Sequence, residues 1–172
     1  DPDKIKKTAD YEHADSVVTH LNGIVPNIAD PLLRAKYLGF VSVVAVTVYE
    51  LAIKTIFIEF AQSKHKVFGS FTESHFDRIN GRIKIKIIKD EYVKRFGTKY
   101  LSRFQKYLET RTTEYFQTHH RDIKNSYTNL ITWRNDFAHE GRINTTATYN
   151  EVVQAYEDGK EVIHCLAASM KR

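Results

Sequence analysis

The chain has 172 residues, of which 42% are hydrophobic and 27% charged, ordinary proportions for one folded domain with a real core. Its 26 basic and 21 acidic side chains leave a net charge of +5, which suits a polyanion partner without demanding one. A single cysteine, Cys165, excludes an intrachain disulfide and a cysteine-based zinc site and fits a reducing, cytoplasmic setting. Three prolines, seven glycines and the lack of any low-complexity tract argue against long linkers, so residues 1–172 read as one domain.

Residues 1–9 are charged and expected to fray. Asp1-Pro2-Asp3-Lys4 carries no apolar signal-peptide core, and without an initiator methionine the numbering reads as starting inside a processed product. From Asp10 to Val25, the residues Tyr11, Ala14, Val17, Val18, Leu21 and Val25 make a helical stripe. Pro26 and Pro31 bound a short connection. Asp30-Pro31 then supplies a cap and first turn for a helix from about Leu32 to Gln62. Within it, Tyr37 to Tyr49 is thirteen uncharged residues, short of a membrane span, and Glu50, Lys54 and Glu59 interrupt the continuation. A segment apolar on nearly every side reads as the central buried helix, with no membrane contact expected. The valine density of Val41 to Val48 also suits a strand, but the unbroken length favours helix. Glu50 has two readings: a rim ion pair with Lys54 at i,i+4, or a supporting carboxylate that orients Arg134 or His139.

Lys64 to Thr72 is polar, contains Gly69 and reads as a loop, followed by a short helix from Thr72 to near Asn80-Gly81. Arg82 to Ile87 alternates strictly, a strand signal. With no second strand to pair with, Arg82 to Phe96 is instead expected to be helical, with Gly97 as its stop. Thr98 reads as the N-cap of a helix from Lys99 to about His119, whose apolar side is Tyr100, Phe104, Tyr107, Leu108 and Tyr115. Lys99, Arg103 and Lys106 form a basic stripe on it. That stripe is either a solvated face or a track for a phosphate backbone beside tyrosines on which RNA bases stack. His119 and His120 diverge by about a hundred degrees on a helix, and no acidic or cysteine cluster completes a site, so no metal and no other cofactor is expected.

The next amphipathic helix begins near Asp122, carries Ile123, Tyr127, Leu130, Ile131, Phe137 and Ala138 at helical spacing, and stops at Gly141. Arg134, Asn135 and His139 fall on its last turn and a half, and Asn135 and His139, four apart, share a face. Arg134 lies four after Leu130 and seven after Tyr127, so it projects from the apolar stripe. It either complements the helix macrodipole while its stem covers apolar surface, or it belongs to a face that meets a second copy of itself. A loop at 142–146 leads to a last helix capped by Thr148, with Glu151 completing a capping box. Its inward residues are Val152, Val153, Tyr156, Val162, Ile163, Leu166 and Ala167, and Gly159 is expected to weaken or bend it. There is no phosphate-binding glycine motif, no H-E-x-x-H and no nucleophile elbow.

Arg134-Asn135-x-x-x-His139 at the end of a late helix, followed by Gly141 and one more amphipathic helix, resembles the HEPN superfamily, of RiboL-PSP-HEPN type, with its R-x4-6-H ribonuclease motif. Ten arginines and eight histidines make the bare spacing expected roughly 0.5 times by chance in a chain this long. Requiring asparagine after the arginine lowers that to roughly 0.02. The resemblance runs from the helix near Tyr37 to the C-terminus; outside the motif it is an order of helices.

It implies an all-α bundle of four core helices plus short extra ones, a two-fold homodimer, and a metal-independent endoribonuclease cleft on the dimer axis. Arg134 and His139 would be the catalytic pair, and Asn135 would position the phosphate or the His139 ring; Asp136 matches no family role and either supports His139 at i,i+3 or simply caps charge. The residue chemistry agrees with that use. A histidine titrating at about 6.5 serves as base or acid near neutrality, and an arginine fork matches two phosphate oxygens. One copy is short of groups for attack by a ribose 2′-hydroxyl, charge stabilisation and protonation of the 5′-oxygen; two copies have enough. Members of the superfamily often act as toxins or antiviral defence effectors restrained by an antitoxin or regulatory protein. Some carry a tyrosine, two residues after the histidine, that an antitoxin nucleotidyltransferase modifies; here Gly141 stands there, a departure from that form of control. Two readings of other classes stand beside this one: a non-catalytic HEPN-type module that binds nucleotide, RNA or a partner protein, and a purely structural bundle.

Overall fold

The computed structural model describes residues 11–141, 143 and 146–171; the segment expected to fray and most of the 142–146 loop lie outside the described residues. Helix α1 spans Glu12–Asn22 and leads through a 3-10 turn, Val25–Asn27, to α2, Pro31–Lys64. Helix α3 is Lys66–Phe76 and α4 Ile85–Ile87. The latter runs straight into a π-helical turn, Ile88–Tyr92, and a 3-10 turn, Val93–Phe96. Helices α5, Thr98–His119, α6, Ile123–Glu140, and α7, Tyr149–Ser169, complete an all-α fold without strands among the described residues.

Helix α2 starts where Asp30 accepts the Leu32 N–H at 2.9 Å and Pro31 occupies the first turn, where its missing N–H is no loss. It is the axis of the bundle: α1, α3, α6 and α7 all pack on it, and α5 packs on α7. By length and composition α2 is apolar enough to cross a membrane, because its helix extends well beyond the uncharged run at 37–49; 56% of its most apolar 18-residue window is buried inside the fold.

Three stacked tyrosines hold the middle of the bundle. The Tyr49 ring lies 5.4 Å from that of Tyr127 and 5.9 Å from that of Tyr156, tying α2 to α6 and α7. Each hydroxyl is satisfied: Tyr49 donates to the Tyr156 carbonyl, Tyr127 to the Ile83 carbonyl at 2.7 Å and Tyr156 to Asp15 at 2.7 Å. That is the condition for burying a phenol without loss. Gly159 belongs to this arrangement. A Cβ there would stand 2.5 Å from the Tyr49 hydroxyl oxygen, so the glycine admits the ring while α7 continues unbroken, rather than bending it. Burial pushes the Tyr49 and Tyr127 hydroxyls well above their ordinary range, so both remain neutral donors.

A second aromatic cluster fills the other end of α2. Phe57 stacks between Phe76 at 4.8 Å and Phe96 at 5.2 Å, and Phe60 meets Tyr100 edge-on at 4.9 Å. This cluster overturns the loop expected at 64–72. The connection is the single residue His65, whose ring Nδ1 accepts the Val67 N–H at 3.2 Å and caps α3. Gly69, which suggested a loop, is instead the point of closest approach: a Cβ there would lie 2.4 Å from Gln62 Cγ. The segment 82–96 is helical only from Ile85, with Arg82 to Lys84 forming a non-helical connection that buries Ile83. Gly97, at φ +119°, precedes α5, so Thr98 is its first helical residue and makes no side-chain cap.

Candidate functional site

Helix α6 begins as its sequence asks. Asp122 accepts the N–H groups of Lys124 at 2.8 Å and Asn125 at 3.1 Å, and Ile123, Tyr127, Leu130 and Ile131 are buried. A buried carboxylate fixes this end. Asp158 of α7, fully inaccessible, accepts hydrogen bonds from Tyr115 (2.6 Å), Arg121 Nε (2.8 Å) and Nη2 (2.9 Å), and Ser126 (3.0 Å). Burial pushes the Asp158 carboxyl up, but the donors outweigh it and hold the group below its ordinary value. Nothing in the sequence announced this network: its members lie on three helices and the connection before α6, and Asp158, beside Glu157, Lys160 and Glu161, looks like one more charge of a solvated face.

The other end of α6 carries the motif. Gly141 at φ +67° ends the helix, its N–H bonded to the Phe137 carbonyl, as the sequence implied. Phe137 packs onto Gly39 of α2, where a Cβ would lie 2.0 Å from the ring. Ala138 is exposed rather than on the buried stripe. Arg134 is half-buried, with Nη2 3.5 Å from the Gly81 carbonyl oxygen. A Cβ on Gly81 would come within 2.2 Å of that nitrogen. The guanidinium therefore rests against backbone that only glycine leaves open.

The connection carrying Gly81 is pinned at three successive residues. Glu50 Oε2 accepts the Gly81 N–H at 2.6 Å, the Tyr92 hydroxyl donates to the Arg82 carbonyl at 2.8 Å, and Tyr127 donates to the Ile83 carbonyl at 2.7 Å. Of the two readings of Glu50, the rim pair with Lys54 is the one seen directly. Its other oxygen pairs with Lys54 at 3.0 Å, and it reaches Arg134 only through Gly81, with no direct contact to Arg134 or His139 among the described residues.

Asn135 and Asp136 are half-buried and His139 is exposed; none of these three side chains has a hydrogen-bond or ion-pair partner among the described residues. Arg134 likewise has no carboxylate partner among them. The basic stripe of α5 is not gathered with the motif of the same chain. Lys99 lies beside Tyr100, which packs on Phe60, whereas Phe137 of the motif helix packs at Gly39 and Arg134 meets α2 through Gly81 at Glu50; 21 and ten residues of α2 separate these points from Phe60, about 30 and about 15 Å at 1.5 Å per residue. Within the stripe Lys99 and Lys106 are exposed, and Arg103 donates to the Lys171 carbonyl at 2.9 Å. His119 stacks on Tyr115 at 4.0 Å, and no group of three or more His, Cys, Asp or Glu gathers where it could hold a metal ion, among the described residues. Cys165 is buried in the core, and burial, with Glu161 nearby, pushes its thiol up to about 12.

The family model of RiboL-PSP-HEPN matches residues 9–172. The chain belongs to the RiboL-PSP-HEPN family. No curated protein and no solved structure matches it. The helical order expected from the HEPN resemblance is the one the fold displays, with the R-x4-H residues on the last turns of the penultimate helix. Membership of this family makes an RNase or a nucleotide-binding module the functional classes to consider.

Proposed function

We propose that this protein is an endoribonuclease of HEPN type that works as a homodimer and cleaves RNA by attack of a ribose 2′-hydroxyl on the adjacent phosphate, without a metal. One observation carries the reading: Arg134 is seated without a carboxylate partner among the described residues, on the same helix end as an exposed His139. A structural arginine in a half-buried position is normally paired; one held against a carbonyl and otherwise open suits an incoming phosphate.

The helix geometry explains why two copies are needed. Five residues at 100° each place Arg134 and His139 about 140° apart around α6, so one chain does not aim both at one phosphate. Gly39 and Glu50 of α2 are eleven residues apart and face the motif, directly and through Gly81. One residue further on, Phe40 and Leu51, again eleven apart, lie on the adjoining face and are exposed, as is Leu33. A two-fold partner docked on that apolar face brings a second Arg134 and His139 beside the first.

In that cleft one His139 takes the 2′-hydroxyl proton, the arginines hold the phosphorane oxygens, and the other His139 protonates the leaving 5′-oxygen. Asn135, one helical turn before His139 on the same face, orients the ring or the phosphate, with Asp136 in support. Such an activity in the cytoplasm suits a toxin or defence effector, held in check by an antitoxin or other regulatory protein. The test is cleavage of end-labelled RNA in EDTA by the parent, Arg134→Ala and His139→Ala proteins, with mass and circular dichroism measured alongside. Both variants should remain folded and dimeric and lose cleavage. Retained cleavage in both removes the enzyme reading and leaves a helical module that binds RNA, nucleotide or a protein.

A further inference from the structure

We infer that the face formed by α3 and the 85–96 helical segment is a second RNA subsite, in which a nucleobase of a single strand stacks among phenylalanines while its phosphates run along arginines toward Arg134. The inference deepens the ribonuclease reading and rests on it for the strand's destination; the binding itself does not require cleavage.

Two clefts share a wall here. The first, about 210 Å³, is aromatic, formed by Phe68, Phe71, Phe76 and Phe96. Phe71 is 71% exposed at its mouth, and Val67, one helical turn earlier on α3, is 70% exposed. Phe71 is more exposed than the other phenylalanines, of which Phe116 at 54% comes next, and it stands at the mouth of a cleft rather than alone. The volume falls below the 300 Å³ or so that a whole drug-sized ligand needs, and suits one flat ring.

The second cleft, about 430 Å³, is polar and basic: Arg78, Arg82 and Arg95 line it, with His75 and Tyr92 common to both. Glu91 is its one carboxylate, and it is committed to Arg82 at 2.8 Å. Arg95 contacts the His75 Nε2 at 3.2 Å and has no acidic partner, nor has Arg78, among the described residues. Glu73 of α3 and Asp77, just after its end, lie outside both linings. The lining thus keeps two unneutralised guanidinium groups beside an exposed aromatic platform. This is the combination by which proteins hold single strands, charge along the backbone and π-faces for the bases.

Its place in the chain joins it to the motif. Arg78 and Arg82 flank Gly81, whose carbonyl receives Arg134, so the basic cleft begins one residue from the proposed phosphate site. A protein partner seated on the same phenylalanines would have no need of the arginines. The charge favours the polyanion.

The experiment is fluorescence anisotropy of a labelled single-stranded oligoribonucleotide in the His139→Ala background, so that binding is read without turnover. Phe71→Ala should weaken binding about 5- to 100-fold, the range for losing one stacked base, with Tm and mass unchanged because the side chain is already exposed. Arg78→Gln and Arg95→Gln should each flatten the slope of log K against log salt by about 0.7. Lys106→Gln, an exposed residue of α5 ten positions after Phe96 and outside both linings, should do neither. Parent-like binding by Phe71→Ala and both arginine variants overturns the inference, as does failure of the parent to bind RNA or a change of mass on Phe71→Ala. RNA that binds with these dependences yet is never cut by the parent upholds the subsite and sinks the catalytic reading. Cleavage that ignores Phe71 does the reverse.

Discussion

Gly81→Ala separates the backbone of the site from its chemistry. The residue has φ +76°, where a Cβ costs about 1–2 kcal/mol, partly offset by the smaller entropy of the unfolded alanine chain. The new methyl would stand 2.2 Å from Arg134 Nη2, but that atom is the far end of a flexible side chain and moves aside cheaply. The net stability loss is therefore about 1 kcal/mol, a Tm fall of about 2–4 °C for a chain this size. The effect on cleavage is larger. Restoring ordinary van der Waals contact pushes the guanidinium by about 1 Å, and a catalytic group misplaced by that much loses roughly 100-fold in rate. Gly141→Ala is the control. It has a similar φ of +67° with nothing within 4 Å of the new Cβ, so it carries the same backbone cost without displacing Arg134. Thermal melts and initial cleavage rates of both variants decide the matter. Full activity in Gly81→Ala, or an equal loss in Gly141→Ala, would refute the claim that Gly81 sets the place of Arg134.

Two further expectations concern the frame that carries the site. Asp158→Asn leaves Arg121 without its counter-charge; because that guanidinium is 36% exposed, the cost should be about 2–4 kcal/mol rather than the larger figure for a fully buried pair. Chemical denaturation should show the midpoint falling at unchanged m-value, and a variant as stable as the parent would deny the network its structural role. Glu161 is held from its ordinary 4.5 down to about 2, by His164 at 3.5 Å and Arg111 at 2.7 Å against the opposing effect of burial. Its folded-state value is depressed, so its contribution is present above pH 4.5 and fades as pH falls toward 2. Glu161→Gln should flatten the loss of stability across that window, and parallel pH profiles for the two proteins would contradict the assignment.

What could be read from the chain divides along a physical line. Periodicity and caps are local, so α2, α6 and α7 were legible from Asp30-Pro31, Gly141 and Thr148-x-x-Glu151. The R-x4-H spacing was legible for the same reason. Glycine misled twice, at 69 and 159, because a missing Cβ serves a turn and a close approach equally, and only the neighbour's position tells them apart. The first half of α3 reads as loop in the sequence because its apolar residues Val67, Phe68 and Phe71 face outward; only its second half, from Thr72 to the buried Phe76, reads as helix. The Gly81 cradle and the Asp158 network were invisible because each is assembled from residues 31 to 53 positions apart, whose pairing no single-sequence pattern encodes.

These long-range bonds set the two proposed catalytic groups apart. Arg134 is fixed from both sides: Asp158 anchors the start of its helix, and the connection it rests on is pinned to α2 through Glu50 and to α6 through Tyr127. His139, exposed on the last turn, has no such restraint among the described residues. An electrostatic group gains most from being held before substrate arrives, since its donors then need no reorganisation as charge develops. A proton-transfer group can tolerate a looser apo position and tighten in the complex. On the proposed mechanism, the fold gives its rigidity to the arginine, and RNA or a second copy would place the histidine. That division of labour is what a shared cleft requires and what a purely structural arginine would not.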